Sequence, residues 1–164
     1  MQQEKMTENA RVLAQRALAD HIYDLTLEAP QIAAASAAGQ FVSVYTDNPA
    51  KLLPRPISLC GIDRAKGHLR LVYRVTSEQA GTAEFAGLAP GDTVRLLGPL
   101  GNGFTVLPEK RAFLVGGGIG VPPMLQLAKD IRSGTARGLS GEACEMHIFM
   151  GYRDASTFLL DEFR

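Results

Sequence analysis

The 164-residue sequence has no tryptophan, only 2 cysteines and 3 histidines, and no net charge, its 17 basic residues balancing 17 acidic ones. No block of like charge occurs, which argues against nucleic acid or an anionic membrane as principal partner. Cys60 and Cys144 lie far apart and make no CxxC pair, so neither a disulfide framework nor a redox motif is indicated. A reduced, cytoplasmic setting is the simplest expectation. No stretch approaches the roughly 20 apolar residues that span a bilayer, and the polar start MQQEKMTENA has no signal-peptide core. His21, His68 and His147 are scattered, without HExxH or i,i+4 spacing, so no metal site is expected. Ser58 lacks the GxSxG elbow of a serine hydrolase.

What is present changes character along the chain. Six short candidate strands come first: RVLAQRALA, HIYDLTLEA, GQFVSVYT, PRPISLCGI, GHLRLVYRV and GDTVRLLGP. In GHLRLVYRV, Leu69, Leu71, Tyr73 and Val75 share one face and Arg70, Val72 and Arg74 the other. Close spacing with Gly and Pro punctuation predicts a closed six-stranded antiparallel barrel. One short helix is expected at GTAEFAGL, stopped by Pro90 and Gly91, while AAASAAG at 33–39 reads as a small-residue connection. The switch falls in LPEKR, residues 107–111. After it, AFLVGG reads as a strand buried on both faces. A helix follows in GIGVPPMLQLAKDIRSG, then an apolar strand in CEMHIFMGY and the start of another helix in ASTFLLDEF. This is a βαβ unit, which needs a parallel sheet. The expected fold is therefore β barrel plus α/β, with a barrel domain at 1–108 and a partial parallel-sheet nucleotide-binding domain at 109–164.

Three segments carry chemistry. Arg55, held between Pro54 and Pro56, presents a pre-oriented guanidinium suited to phosphate oxygens, and Ser58 shares a strand face with Pro56. Taken alone, an Arg beside prolines is an ordinary surface feature. Gly81 and Thr82 open the short helix, where unpaired N–H groups suit an anion; the plainer reading is a Thr82 N-cap. VGGGIGVPPM, between a buried strand and a helix, is neither a Walker A loop nor GxGxxG. Its Gly116, Gly117, Gly118 and Gly120 still admit close approach of a nucleotide phosphate, and Pro122 suits a first helical turn.

Together, RPIS, LVYRV, GTAEFAGLAPGDTVRLLGPLGNGF and LVGGGIGVPPM resemble the ferredoxin–NADP reductase superfamily, and within it the electron-transfer subunits of class B (NAD-dependent) dihydroorotate dehydrogenase. The resemblance runs from about residue 10 to Arg164. It implies a cytoplasmic flavoprotein oxidoreductase subunit of pyrimidine biosynthesis, passing electrons between FAD in the barrel and NAD(H) on the βαβ unit. By resemblance, Arg55 grips the FAD pyrophosphate and Ser58 lies near flavin N5 as the catalytic residue. Pro56 and Ile57 complete that strand, Ile57 standing where the wider superfamily has a stacking Tyr. Val72, Tyr73 and Arg74 line the nucleotide part, and Gly81 with Thr82 caps the phosphates. Gly116, Gly117, Gly118, Gly120 and Pro122 form the dinucleotide loop, and GYRDASTFLLDEF matches the second-strand region.

The resemblance also implies a catalytic dehydrogenase subunit as partner in a hetero-oligomer. Full-length members carry further strands and a four-cysteine [2Fe–2S] segment, so the chain is expected to be truncated at its C-terminus. Cys60 and Cys144 cannot supply four thiolates and read as small buried fillers. Two alternatives share these residues: a diaphorase subunit of sulfide dehydrogenase or hydrogenase type, and a flavin-binding assembly module without turnover. Asp161 and Glu162 could face a ligand but read more simply as a solvated helix face, and Arg70 and Arg74, on one strand face, read as phosphate ligands or as part of a wet outer barrel face.

Overall fold

The computed structural model describes residues 5–108, 111–141 and 144–164. Strands β1 (Met6–Ala19), β2 (Ile22–Glu28), β3 (Phe41–Val44), β4 (Arg55–Asp63), β5 (His68–Arg74) and β6 (Thr93–Leu100) close an antiparallel barrel in the order β1-β2-β5-β4-β3-β6. Period-2 alternation builds it. Leu69, Leu71 and Tyr73 of β5 point inward with Leu25, Leu27, Leu59 and Leu96, while Val72 and Cys60 point outward.

Residues 30–35 form a helix, α1 (Pro30–Ala35), where a connection is expected from sequence. Alanine has the highest helix propensity and Pro30 fits the first turn. The start is fixed from a distant strand: Glu8 accepts hydrogen bonds from the backbone N–H of Gln31 (3.2 Å) and Ile32 (2.9 Å). Ile32 and Ala33 are fully buried against the barrel core. Helix α2 (Gly81–Phe85) lies between β5 and β6 and buries Phe85 in the same core.

Strands β7 (Ala112–Gly117) and β8 (Met146–Gly151) pair in parallel across helix α3 (Pro122–Arg132), as a βαβ unit requires. Of the expected boundary at 107–111, Glu109 and Lys110 lie outside the described residues. The sheet differs from expectation in being covered on one face only. Leu114 is buried, yet Phe113, Val115 and Phe149 are 60%, 71% and 54% exposed. An apolar run alone does not report how many faces are covered. The final helix is also shorter than expected: only a 3-10 turn, Leu160–Phe163, forms, entered through Leu159 at φ 65°.

A second core joins the units, uniting Ile22, Cys60 and Val72 of the outer barrel wall with Val121, Leu125, Ala128, Phe158 and Phe163. Gln126, buried on α3, accepts from Ile62 N–H (2.7 Å) and donates to Asp130 (2.7 Å). Arg70 differs from both sequence readings in being committed to two carboxylates. Its guanidinium donates to Asp24 (2.8 and 2.8 Å) and to Glu162 (2.5 and 2.8 Å). Glu162 is thus a clasp on the barrel rather than a solvated residue, whereas Asp161 is solvated and pairs with exposed Arg164. The Arg70 clasp holds the Glu162 carboxyl below the usual glutamate range and raises the Arg70 guanidinium further.

Candidate functional site

Arg55 opens β4 opposite Val44 of β3. The chain leading to it is tied by Lys51 N–H to Asn48 O (2.9 Å) and Thr46 Oγ1 to Lys51 O (3.1 Å). Lys51 also reaches α2, donating to Ala80 O (3.1 Å) and facing Glu84 Oε1 at 2.9 Å as an ion pair rather than an aligned hydrogen bond. Arg55 itself donates from Nη1 to Leu53 O (3.0 Å). Its guanidinium then lies across the backbone of Gly81. A Cβ at residue 81 would sit 2.2 Å from Arg55 Nε and 2.8 Å from Cζ. Only glycine leaves that space. No side chain caps α2, so Thr82 is not the N-cap, and the Gly81 and Thr82 N–H groups precede the first intrahelical bond. A guanidinium and free amides therefore converge at one place.

A cleft of about 370 Å³ lies beside this corner; Thr82 lines it, while Arg55 and Gly81 do not. It gathers Pro56, Ile57 and Ser58 of β4, Val72, Tyr73 and Arg74 of β5, and Thr82 of α2, seven of the residues singled out from sequence. Ser58 is exposed and its hydroxyl has no hydrogen-bond partner among the described residues. The Tyr73 ring is committed to the barrel core, stacked on Tyr23 at 5.7 Å and donating to Gln15 Oε1 (2.9 Å); burial pushes its phenol pKa up. Two further residues border the cleft that sequence reasoning missed: Thr76, just past β5, and Ile119, from the glycine loop.

The glycine loop divides in function. Gly117 and Gly118 border a second cleft of about 620 Å³, shared with the turn at Asp20 and His21 and with residues 152–158. Gly118 is at φ 50°. At Gly116 a Cβ would lie 2.9 Å from Val121 Cα, so this glycine lets β7 pack on the start of α3. Pro122 is buried in the first turn of α3, and Gly120, with open space around it, borders neither cleft. The two clefts share Arg74, Thr76 and Ile119.

Of the cysteines and histidines, His21 borders the second cleft, while Cys60, Cys144, His68 and His147 border neither. Cys60 is fully buried and burial pushes its thiol up to about 12, so it is an inert filler. Cys144, expected to be buried too, is half-buried. His21 sits in the β1–β2 turn, His68 begins β5, and His147 lies on β8 stacked against Phe113 at 5.2 Å. Among the described residues, no group of three or more His, Cys, Asp or Glu is disposed to hold a metal ion.

Residues 11–104 match the oxidoreductase FAD-binding domain family. The chain is 46% identical over 136 residues to the dihydroorotate dehydrogenase B (NAD(+)) electron transfer subunit of Geobacillus kaustophilus, covering 80% of this chain and 51% of that one. It is 44% identical over 127 residues to the subunit of the same name from Streptococcus pneumoniae, covering 76% and 48%. The chain thus spans about half the length of the curated relatives it matches. Among solved structures, an NADH-dependent reduced ferredoxin–NADP oxidoreductase superposes with TM-score 0.79 at 23% identity, over 96% of this chain and 53% of that one. Ferredoxin-NADP+ reductase from Plasmodium falciparum superposes with TM-score 0.76 at 12% identity, over 95% and 63%. These two likenesses bear on the fold.

Proposed function

The chain belongs to the oxidoreductase FAD-binding domain family, and from that premise we propose that it is the FAD-holding part of an NAD-linked electron-transfer subunit of dihydroorotate dehydrogenase type. Residues 1–108 are the FAD-binding domain and residues 109–164 the first part of an NAD-binding α/β domain. The observation that carries the reading is the Arg55 guanidinium laid over Gly81, each next in sequence to a residue, Pro56 or Thr82, that lines the cleft holding Ser58.

The cradle fits FAD. Arg55 with the Gly81 and Thr82 amides supplies a cationic, N–H-rich corner matched to a pyrophosphate. Pro56, Ile57 and Ser58, with Val72, Tyr73 and Arg74, form the wall for the ring and its linker. Ile57 borders the cleft but turns its side chain into the barrel core, so it would back the ring rather than stack on it, and Ser58 would offer its exposed hydroxyl near flavin N5. Gly117 and Gly118, open to the second cleft, suit the phosphates of NAD(H), while Gly116, Gly120 and Pro122 shape that loop. Bound FAD supplies the two-electron chemistry with single-electron exit; the protein's part is binding, orientation and exclusion of water.

A [2Fe–2S] centre does not fit the described residues, since the chain has 2 cysteines and one is fully buried. The partner on this reading is a catalytic dehydrogenase subunit in a hetero-oligomer, which the relatives' description as electron transfer subunits supports; a cytoplasmic setting and a place in pyrimidine biosynthesis are part of the same proposal. Titration with FAD tests the reading. Arg55→Ala should weaken FAD binding about ten- to a hundredfold, the worth of a charge-assisted hydrogen bond. Unchanged affinity removes Arg55 from the site and the reading with it.

A further inference from the structure

Ile119 has no place in either hydrophobic core, although it is a large apolar residue in a loop otherwise made of glycines. It is 39% exposed. Its backbone is held firmly: the 3-10 turn Gly118–Gly120 is closed by Val121 N–H donating to Gly118 O (3.1 Å), and Val121 and Pro122 are buried beneath it. The turn packs against β5. Of the glycine loop, Ile119 alone borders the cleft that holds Ser58, and it also borders the larger cleft beside Gly117 and Gly118. A stiffly mounted aliphatic side chain between two ligand-sized spaces, with no core to serve, exposes apolar area that a planar ring would cover.

We infer that Ile119 is a flavin-positioning residue contributed by the βαβ unit, bordering the FAD cleft that Ser58 also lines and setting how closely the two clefts' occupants approach. The inference rests on the FAD reading above. It deepens that reading by giving the glycine loop a direct contact to the flavin ring besides its role toward a dinucleotide phosphate. Arg74, at the end of β5, and Thr76, just past it, are the other residues shared by both clefts.

The test is one set of titrations of the FAD-free protein with FAD and with ADP, which carries the pyrophosphate without the ring. Wild type, Ile119→Ala, Ile119→Val and Arg55→Ala are compared, with apo-protein melting temperatures alongside. For Ile119→Ala, FAD affinity should fall about tenfold, the loss expected for a partly covered aliphatic contact. Bound-flavin fluorescence and visible circular dichroism should change, ADP affinity and the apo melting temperature should not, and Ile119→Val should restore most of the loss. Arg55→Ala should weaken FAD and ADP alike. If Ile119→Ala leaves FAD affinity and the flavin spectrum as in wild type, or weakens FAD and ADP equally, the inference is overturned while the FAD reading stands. If wild type takes up no FAD, the reading itself fails and the inference falls with it.

Discussion

Gly81→Ala is the sharpest perturbation of the proposed pyrophosphate corner, because it adds a single methyl group. The new Cβ would stand 2.2 Å from Arg55 Nε, 2.8 Å from Cζ and 2.9 Å from Nη2, far inside van der Waals contact. Gly81 is not among the residues with positive φ, so alanine costs no backbone strain there. The clash falls on the end of a flexible side chain whose one hydrogen bond among the described residues is to Leu53 O. The guanidinium therefore swings away and the barrel stays folded. The apo melting temperature should change little, while FAD affinity falls about ten- to a hundredfold, because the displaced group no longer meets the phosphate. Isothermal titration or quenching of flavin fluorescence reads the loss directly. In combination with Arg55→Ala the two effects should not add, since both act through one guanidinium. FAD affinity equal to wild type, or full additivity in the double variant, would refute the reasoning.

Two further outcomes follow from the Arg70 clasp and the buried thiol. Arg70→Met should cost about 2–3 kcal/mol in urea unfolding, below the usual loss for breaking a buried pair because Glu162 is partly exposed and Arg16 still pairs with Asp24. Since Arg70 lowers the folded-state pKa of Glu162 from the ordinary 4.5, this contribution is complete above that pH and fades as pH falls through the folded-state value. Glu162→Gln should therefore flatten the acid limb of the stability curve, and an acid limb parallel to wild type would contradict the clasp. Cys60, with its thiol pushed up to about 12, should resist thiol reagents at pH 8 until the protein is unfolded; rapid labelling of Cys60 in the native state would contradict its burial.

The barrel was legible because its strands carry strict alternation: Leu69, Leu71 and Tyr73 on one face of β5 declare an inside, and Gly and Pro mark the turns. The approach of Arg55 to Gly81 was hinted at for another reason. Arg55 and Gly81 are unusual in their local settings, between two prolines and at the start of a short helix. What escaped depends on contacts distant in sequence. Helix α1 takes its start from Glu8, 23 and 24 residues upstream of the amides it accepts from. Arg70 finds Asp24 and Glu162, which are 46 and 92 residues away, and no local pattern announces either pairing. The open face of β7 and β8 was hidden by an apolar run that reads alike with one face covered or two. Ile119 carried one weak signal, a bulky side chain among glycines, which gains meaning only when the loop is set beside β5.

The most direct measurement is a crystal structure of the chain grown with FAD. The account predicts the pyrophosphate within hydrogen-bond reach of the Arg55 guanidinium and the Gly81 and Thr82 amides, with the ring along Ser58. A bound FAD elsewhere on the molecule, or Arg55 turned to solvent beside an occupied cleft, would contradict it.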